Sequence, residues 1–390
     1  MLYSMKLNSS PFEKIKNGTK TIELRLNDEK RRRVKVGDFI EFSRIDRPSD
    51  KIRTKVTALH CFDGFEELYK NLPLIKCGYT AETVQSANPS DMERFYSEEQ
   101  QKKYGVVGIE LEITKSVENE TFDEERALYG SKSLIIKNCR FDGEADGESA
   151  VKESSDIQAE KCFFNLRYPF WHDNGLKIYY SEMTELCRAA LWYSNHVEIR
   201  DSKLHGIKAL RECNYIDMER CDINSTEFGW FVNNIKMKDC DVRSEYLMMR
   251  STGIEFDNVT LDGKYFFQYI QNAVFDNCNF NTKDAFWHAK NVVVRNSTVK
   301  GEYLGWYSEN LTFENCKIIG TQPLCYCKSL KLVDCEMTDT DLCFEKSDVQ
   351  AVITTPVISI KNVLSGNISV VSVGEIIDDN KSSCEITVSQ

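Results

Sequence analysis

No apolar run in these 390 residues approaches the roughly 18 that a membrane-spanning helix needs. The opening stretch, MLYSMKLNSSPFEKIKNG, holds no continuous apolar core, so no secretory signal is expected. The expectation is a cytoplasmic protein with no membrane partner. Cysteine is abundant, at 15 residues, but no CxxC pair occurs, and no His accompanies the Cys325-Tyr-Cys327 run. Neither a metal site nor a cofactor is therefore expected.

Against those absences stands a repeat. Segments opening at Ile216, Ile235, Ile254, Ala273, Val292, Leu311 and Leu330 recur every 19 residues. Each begins apolar-x-apolar, carries Cys, Ser or Val at its sixth position and an apolar residue at its eighth. Starts at Leu134, Ile157, Leu176, Val197 and Val349 extend the frame to about twelve coils. Self-similarity at this period marks a solenoid whose units bury apolar surface only against their neighbours. Nineteen residues cannot hold two helices, and the apolar spacing is two rather than 3.6. The expected unit is one coil of a right-handed parallel β-helix, about 55–60 Å long for twelve rungs. The closing position, occupied by Gly175, Asn234, Gly253, Asn272, Asn291, Asn310 and Asn367, is where a left-handed bend is expected.

The frame also explains the cysteines. Cys139, Cys162, Cys221, Cys240, Cys278, Cys316 and Cys335 all fall in the sixth slot, which reads as a ladder of small buried side chains rather than disulfides. Charge divides unevenly: residues 1–115 carry a net of +3 and the remainder −14. The rod is a poor nucleic-acid partner on this count, whereas the N-terminal segment is not.

Residues 1–115 read as a small α+β unit, with a helix over 11–17 ended by Gly18 and strands at 21–26, around 36–42, 51–59 and 105–113. A helix is expected at 65–71. Pro11-Phe12, Gly18-x-Lys20-Thr21-Ile22-Glu23-x-Arg25, Val36-Gly37-Asp38 and Tyr104-Gly105-Val106-Val107-Gly108 resemble an ASCH domain. That resemblance implies a PUA-like β-barrel associated with RNA or modified-nucleoside recognition. Lys20, Thr21, Glu23, Arg25, Arg31, Arg32 and Arg33 are its candidate binding residues, the cations for phosphate and Glu23 for an exocyclic amine. Some ASCH proteins resemble amidohydrolases of acetylcytidine. Lys20 and Thr21 match the start of their motif, but Glu23 stands where they have a second Thr.

Residues 116–133 are expected to be a connector and a capping helix over 123–129, opened by a Thr121-x-x-Glu124 box. Residues 134–390 would be the β-helix, with 364–390 as its far cap. The segments Thr121–Gly130, Asn165–Asp173, Glu185–Ser194, Asp284–Asn291 and Gly301–Cys327 resemble an uncharacterised bacterial family of pectate-lyase-like β-helix proteins. This implies a fold and no reaction.

All five tryptophans fall at the fifteenth position of their coils, and the sixteenth is rich in Tyr, His, Arg and Glu. Alternation sends one of these columns outward, the sixteenth by its charge. Trp171, His172, Trp192, Tyr193, Arg211, Trp230, Tyr269, Trp287, Trp306 and Tyr307 then line a candidate groove for a saccharide-like or other extended ligand. If the groove catalyses as a hydrolase, lyase or epimerase, Glu212, Arg250 and His288 are the candidate residues. Asp173, Glu185, Glu245 and Asp284 are possible second carboxylates. The Asn-Thr-Asp, Asp-Asp and Gly-His-Gly signatures of polygalacturonase-like enzymes are missing, as is a calcium-binding acidic cluster. Three functions stay open: a two-domain binding protein, a glycan-active enzyme, and a protein-docking scaffold. The oligomeric state is not legible.

Overall fold

The computed structural model describes residues 1–143 and 147–388. The chain divides into two compact units, 1–116 with 133–135 and 117–132 with 136–390.

The first unit is a five-stranded half-barrel sheet. Its strands are β1 (Leu2–Leu7), β2 (Ile22–Leu26), β3 (Phe39–Arg44), β4 (Lys51–Phe62) and β5 (Val106–Ile113), in the order β1-β3-β4-β5-β2. Helices α1 (Ser9–Lys16), α2 (Phe65–Asn71) and α3 (Glu98–Tyr104) complete it. Gly18 takes φ 77° just after α1, as its C-terminal position predicts. Strand β1 and helix α3 add to the elements expected; α3 is opened locally by a Ser97/Gln100 capping box. Two apolar clusters form. Met5, Phe12, Ile40, Phe42, Val56 and Ile109 make one, and Ile22, Leu24, Phe65, Leu68 and Val106 the other.

The second unit is a parallel β-solenoid of about 14 turns, close to the twelve expected. Successive rungs pair in register at the 19-residue offset: Ile216 with Ile235 and Met218 with Met237, then Ile235 with Ile254. Ile216, Met218 and Ile223 are buried, and so are their counterparts above and below. The regular coils contain five or six residues with positive φ: in 216–234 these are Arg220, Glu227, Gly229, Phe231 and Asn234. Non-glycine residues disfavour this region, and inter-coil bonds hold them there. Glu227 N–H donates to Glu245 carbonyl at 2.8 Å and Phe231 N–H to Met249 carbonyl at 3.0 Å, while Gly229 N–H reaches back to Ala209 at 3.0 Å. The closing position is left-handed from Gly175 to Asn310 as expected, except that Gly366, not Asn367, takes the bend in the last coils.

All seven sixth-slot cysteines are free and buried. In several coils the bend leaves a backbone donor that the next coil's sixth side chain accepts. Cys162 N–H donates to Ser181 Oγ at 3.0 Å, Cys278 N–H to Ser297 Oγ at 2.9 Å and Cys221 N–H to Cys240 Sγ at 3.4 Å. The same side chain donates to a carbonyl of its own coil, as Ser202 Oγ does to Arg200 at 2.7 Å and Cys316 Sγ to Glu314 at 3.3 Å. Cys and Ser interchange in this slot because both are small and bond in both senses.

Two expectations fail at the ends. Residues 116–133 contain no helix: Thr121–Phe122 is a strand paired with Arg140–Phe141, and Arg126, with φ 59°, donates its N–H to Glu148 carbonyl at 3.0 Å. The capping-box spacing loses to ladder pairing, because a rung beneath offers every backbone group a partner. Beyond residue 364 the chain adds rungs instead of a separate cap. Ser365–Ile377 and Ser383–Val388 pair parallel onto the stack, and residues 389–390 lie outside the described ones.

These contacts make two predictions. Cys240→Ser should leave urea stability within about 1 kcal/mol of the parent, while Cys240→Ala should cost about 1–3 kcal/mol by orphaning the Cys221 N–H. Of the 15 cysteines, Cys61 is exposed and Cys384 intermediate. A thiol reagent should therefore show one fast phase, removed by Cys61→Ser, with the buried thiols reacting only on unfolding.

Candidate functional site

The candidate residues of the first unit gather at the start of β2. Thr21, Glu23 and Arg25 alternate onto one side, while Ile22, Leu24 and Leu26 enter the core beside Phe65. Lys20 Nζ lies 3.1 Å from Glu23 Oε2, and Arg25 Nε 2.8 Å from Glu23 Oε1. The three side chains are only 11%, 6% and 14% exposed for Lys20, Glu23 and Arg25. Burial works against the Arg25 charge, but Glu23 and the Tyr96 hydroxyl more than offset it, and its pKa sits above the ordinary value. Arg25 Nη2 also donates to the Lys6 carbonyl at 2.9 Å. The buried Thr21 hydroxyl has no hydrogen-bond partner among the described residues. The neighbouring Cys77 thiol is pushed up to about 11 by burial. Tyr96 is the member that residue-by-residue reading missed; it lies far away in sequence, and only folding brings it to Arg25.

The basic run does not join this group. It forms a short 3₁₀ turn in which Arg31 pairs with Asp28 at 2.7 Å and Arg32 donates to the Tyr104 carbonyl at 3.1 Å. Arg33 contributes its carbonyl to the Tyr3 hydroxyl at 2.7 Å.

In the solenoid, the sixteenth column faces outward and the fifteenth is half-buried beside it. Tyr269 and Tyr307 are 45% and 47% exposed. Each fifteenth-slot tryptophan from Trp192 on donates its indole N–H to a carbonyl of the next coil: Trp230 to Tyr246 at 2.5 Å, Trp287 to Tyr303 at 2.7 Å, Trp306 to Gln322 at 2.8 Å, and Trp192 to Lys208. Gln268 makes the equivalent bond to Asp284 at 3.4 Å. Arg211 fits the same column as a flat cation between Trp192 and Trp230, at 5.1 and 5.5 Å from their rings.

The sixteenth column is itself a stack. Tyr269, His288, Tyr307 and Tyr326 follow at 4.8, 5.1 and 4.9 Å, within 14° of parallel, and Arg250 lies 5.4 Å from the Tyr269 ring. Ring faces are spent on neighbouring rungs, and edges and hydroxyls meet solvent. Trp171, His172, Trp192 and Tyr193 form a tilted cluster instead, with His172 Nδ1 3.0 Å from Glu153. Glu212, Arg250 and His288 share the column but occupy alternate rungs, with Phe231 and Tyr269 between them. At a rung spacing of about 4.8 Å each pair is roughly 9–10 Å apart, so no two of them touch. Glu212 instead approaches Arg211 at 3.7 Å.

The second-carboxylate candidates are dispersed. Glu245 pairs with Lys264 at 3.0 Å, and Glu185 is exposed. Asp284 is buried, and desolvation raises its pKa. Asp173, 1% exposed, holds a slot that Ser194 and Ser251 fill in other coils. Its Oδ1 accepts from Ser154 N–H at 2.7 Å, while Oδ2 has no hydrogen-bond partner among the described residues. Burial, reinforced by Glu153, lifts its pKa to about 8.

A half-barrel with a Lys–Thr–Glu–Arg face, joined in one chain to a parallel β-solenoid, defines the class: a two-domain β-solenoid protein carrying an ASCH domain. Residues 5–115 match the ASCH domain. Residues 115–389 match the family described as Protein of unknown function (DUF3737), and the chain belongs to that family. No curated protein matches it. Among solved structures it is similar to hypothetical protein PH0355, with 37% identity over 29% of this chain and 99% of that one, at TM-score 0.24. Protein PF0455 from Pyrococcus furiosus gives 36% identity over 29% and 97%, at TM-score 0.25. PfbA, a surface adhesin of Streptococcus pneumoniae, gives 10% identity over 60% and 76%, at TM-score 0.33.

Asp173 generates a pH prediction. Its folded pKa is raised, so its contribution to stability is present below the unfolded value near 4 and is lost as pH rises through about 8. Asp173→Ser should raise the melting temperature far more at pH 9 than at pH 5, on the order of a few kcal/mol in stability. Trp287→Phe should cost about 1–3 kcal/mol in denaturant titration, since the Tyr303 carbonyl loses its donor.

Proposed function

We propose that the protein is a cytoplasmic two-domain binding protein whose ASCH domain recognises RNA or a nucleoside at Lys20, Thr21, Glu23 and Arg25. The observation that supports this reading is the buried Lys20–Glu23–Arg25 ion trio at 3.1 and 2.8 Å, beside the unpartnered Thr21 hydroxyl. Such a group offers donors to a base edge or phosphate, and one carboxylate that accepts from an exocyclic amine. A cytoplasmic location supplies the reducing conditions that the thiol ladder needs.

A second reading concerns the solenoid, which we propose as a surface for a saccharide-like ligand. Its support is local. Phe231, flanked in its column by Glu212 and Arg250, has no ring stacked on it in that column; Arg211 lies 5.8 Å from its centre, and a sugar stacked on this ring would meet charges that hold hydroxyl or uronate groups. The enzymatic alternative uses the same place, and Glu212→Gln, Arg250→Ala or His288→Ala should then abolish turnover with the melting temperature nearly unchanged.

The test titrates nucleosides and short RNAs against the full chain at low salt. Saturable binding is expected, weakened about tenfold or more in Arg25→Lys through loss of the forked donor. Absence of saturable binding to both ligand classes overturns the reading.

A further inference from the structure

The ASCH site is short of negative charge. Lys20 and Arg25 are both largely buried, and Glu23 is the one carboxylate ion-paired with either among the described residues. Two cations on one anion leave a net charge of +1 in a poorly hydrated place, which is costly without an anionic partner. The hydrogen-bond count tilts the same way. An ammonium offers three donors, a guanidinium five and a hydroxyl one. The protein acceptors that meet them are the Glu23 carboxylate, the Lys6 carbonyl and the Tyr96 hydroxyl. Lys20 therefore keeps donors in reserve, and the buried Thr21 hydroxyl has no hydrogen-bond partner among the described residues. Donors exceed acceptors.

A neutral nucleoside would correct neither imbalance, since its base edge brings donors as well as acceptors. A phosphate monoester corrects both, bringing a charge of −1.5 to −2 at neutral pH and three acceptor oxygens. The surroundings also suit a base attached to that phosphate. Tyr96, bonded to Arg25, stacks on Phe65 at 5.9 Å, and the adjacent Phe95 is 51% exposed. Its ring offers a face for a base, and Arg94 lies 4.8 Å from the ring centre.

We infer that the ligand of this site carries a terminal phosphate, held by Lys20, Arg25 and the Thr21 hydroxyl, so that the preferred class is nucleoside monophosphates or 5′-phosphorylated RNA ends rather than free nucleosides. The inference rests on the nucleoside reading of the site. Glu23 is the placeholder: it keeps two cations together when the site is empty and shares them with the incoming phosphate.

The experiment is calorimetric titration of the full chain with three probes: a nucleoside, its 5′-monophosphate and inorganic phosphate. Short RNAs with and without a 5′-phosphate make a second set. The monophosphate should bind about tenfold or more tighter than the nucleoside, less so in high salt. Its affinity should rise between pH 5.5 and 7.5 as the phosphate takes its second charge near pH 6. Lys20→Met should erase the preference, lowering monophosphate affinity about tenfold more than nucleoside affinity. If that variant melts early, Thr21→Val should weaken monophosphate binding several-fold more than nucleoside binding. Equal affinity for nucleoside and monophosphate overturns the inference while sparing the nucleoside reading. Binding of inorganic phosphate alone, with no gain from the base, supports an anion site but overturns that reading. No binding by any probe overturns both.

Discussion

Parallel pairing at a fixed 19-residue register is the constraint on which the solenoid depends. It places like slots on like slots, so each position must tolerate a near-copy of itself about 4.8 Å away. Columns solve this differently. Small residues exchange N–H and Oγ or Sγ contacts along the sixth slot, and asparagines pair along the closing slot, as Asn291 does with Asn272 at 3.1 Å and Asn310 with Asn291 at 3.0 Å. Charges alternate in sign, as in Lys236–Glu255 at 2.6 Å and Lys290–Glu309 at 3.2 Å. Rings stack.

That last solution changes the meaning of the aromatic column. A row of Tyr, His and Arg resembles a ligand groove in sequence, where ring faces are assumed to be free. In the fold the faces from Tyr269 to Tyr326 lie against one another, and the fifteenth-slot tryptophans are tied down by their indole donors. Residues read as a catalytic set fall on alternate rungs. Phe231, which meets the Arg211 guanidinium rather than another ring, and the tilted cluster near Trp171 are the places where the column departs from ring-on-ring stacking. The ASCH unit works the other way: its site is small, made by one strand and by Tyr96, and concentrates charge that its own residues do not balance.

Much of this was legible before folding. The repeat gave the architecture, the sixth slot explained the cysteines, and the Lys20–Arg25 motif marked the site. What escaped were features set by neighbours. The Thr121 capping box was outcompeted by pairing with residue 140, and the last rungs looked like a cap because their spacing departs from 19. Arg31–Arg33 read as a phosphate-binding run, but Asp28 and the Tyr104 carbonyl engage Arg31 and Arg32.

The amino-acid order by itself determined the period, the inward-facing columns and the ASCH motif, because these are local patterns that repeat or adjoin in the chain. Tertiary structure alone decided that the rings of the sixteenth column stack on one another, that Asp173 is sealed away with an elevated pKa, and that Lys20 and Arg25 share a single carboxylate. Each of these depends on distances between residues of neighbouring rungs or separate elements, and burial and electrostatics act through space, not along the chain.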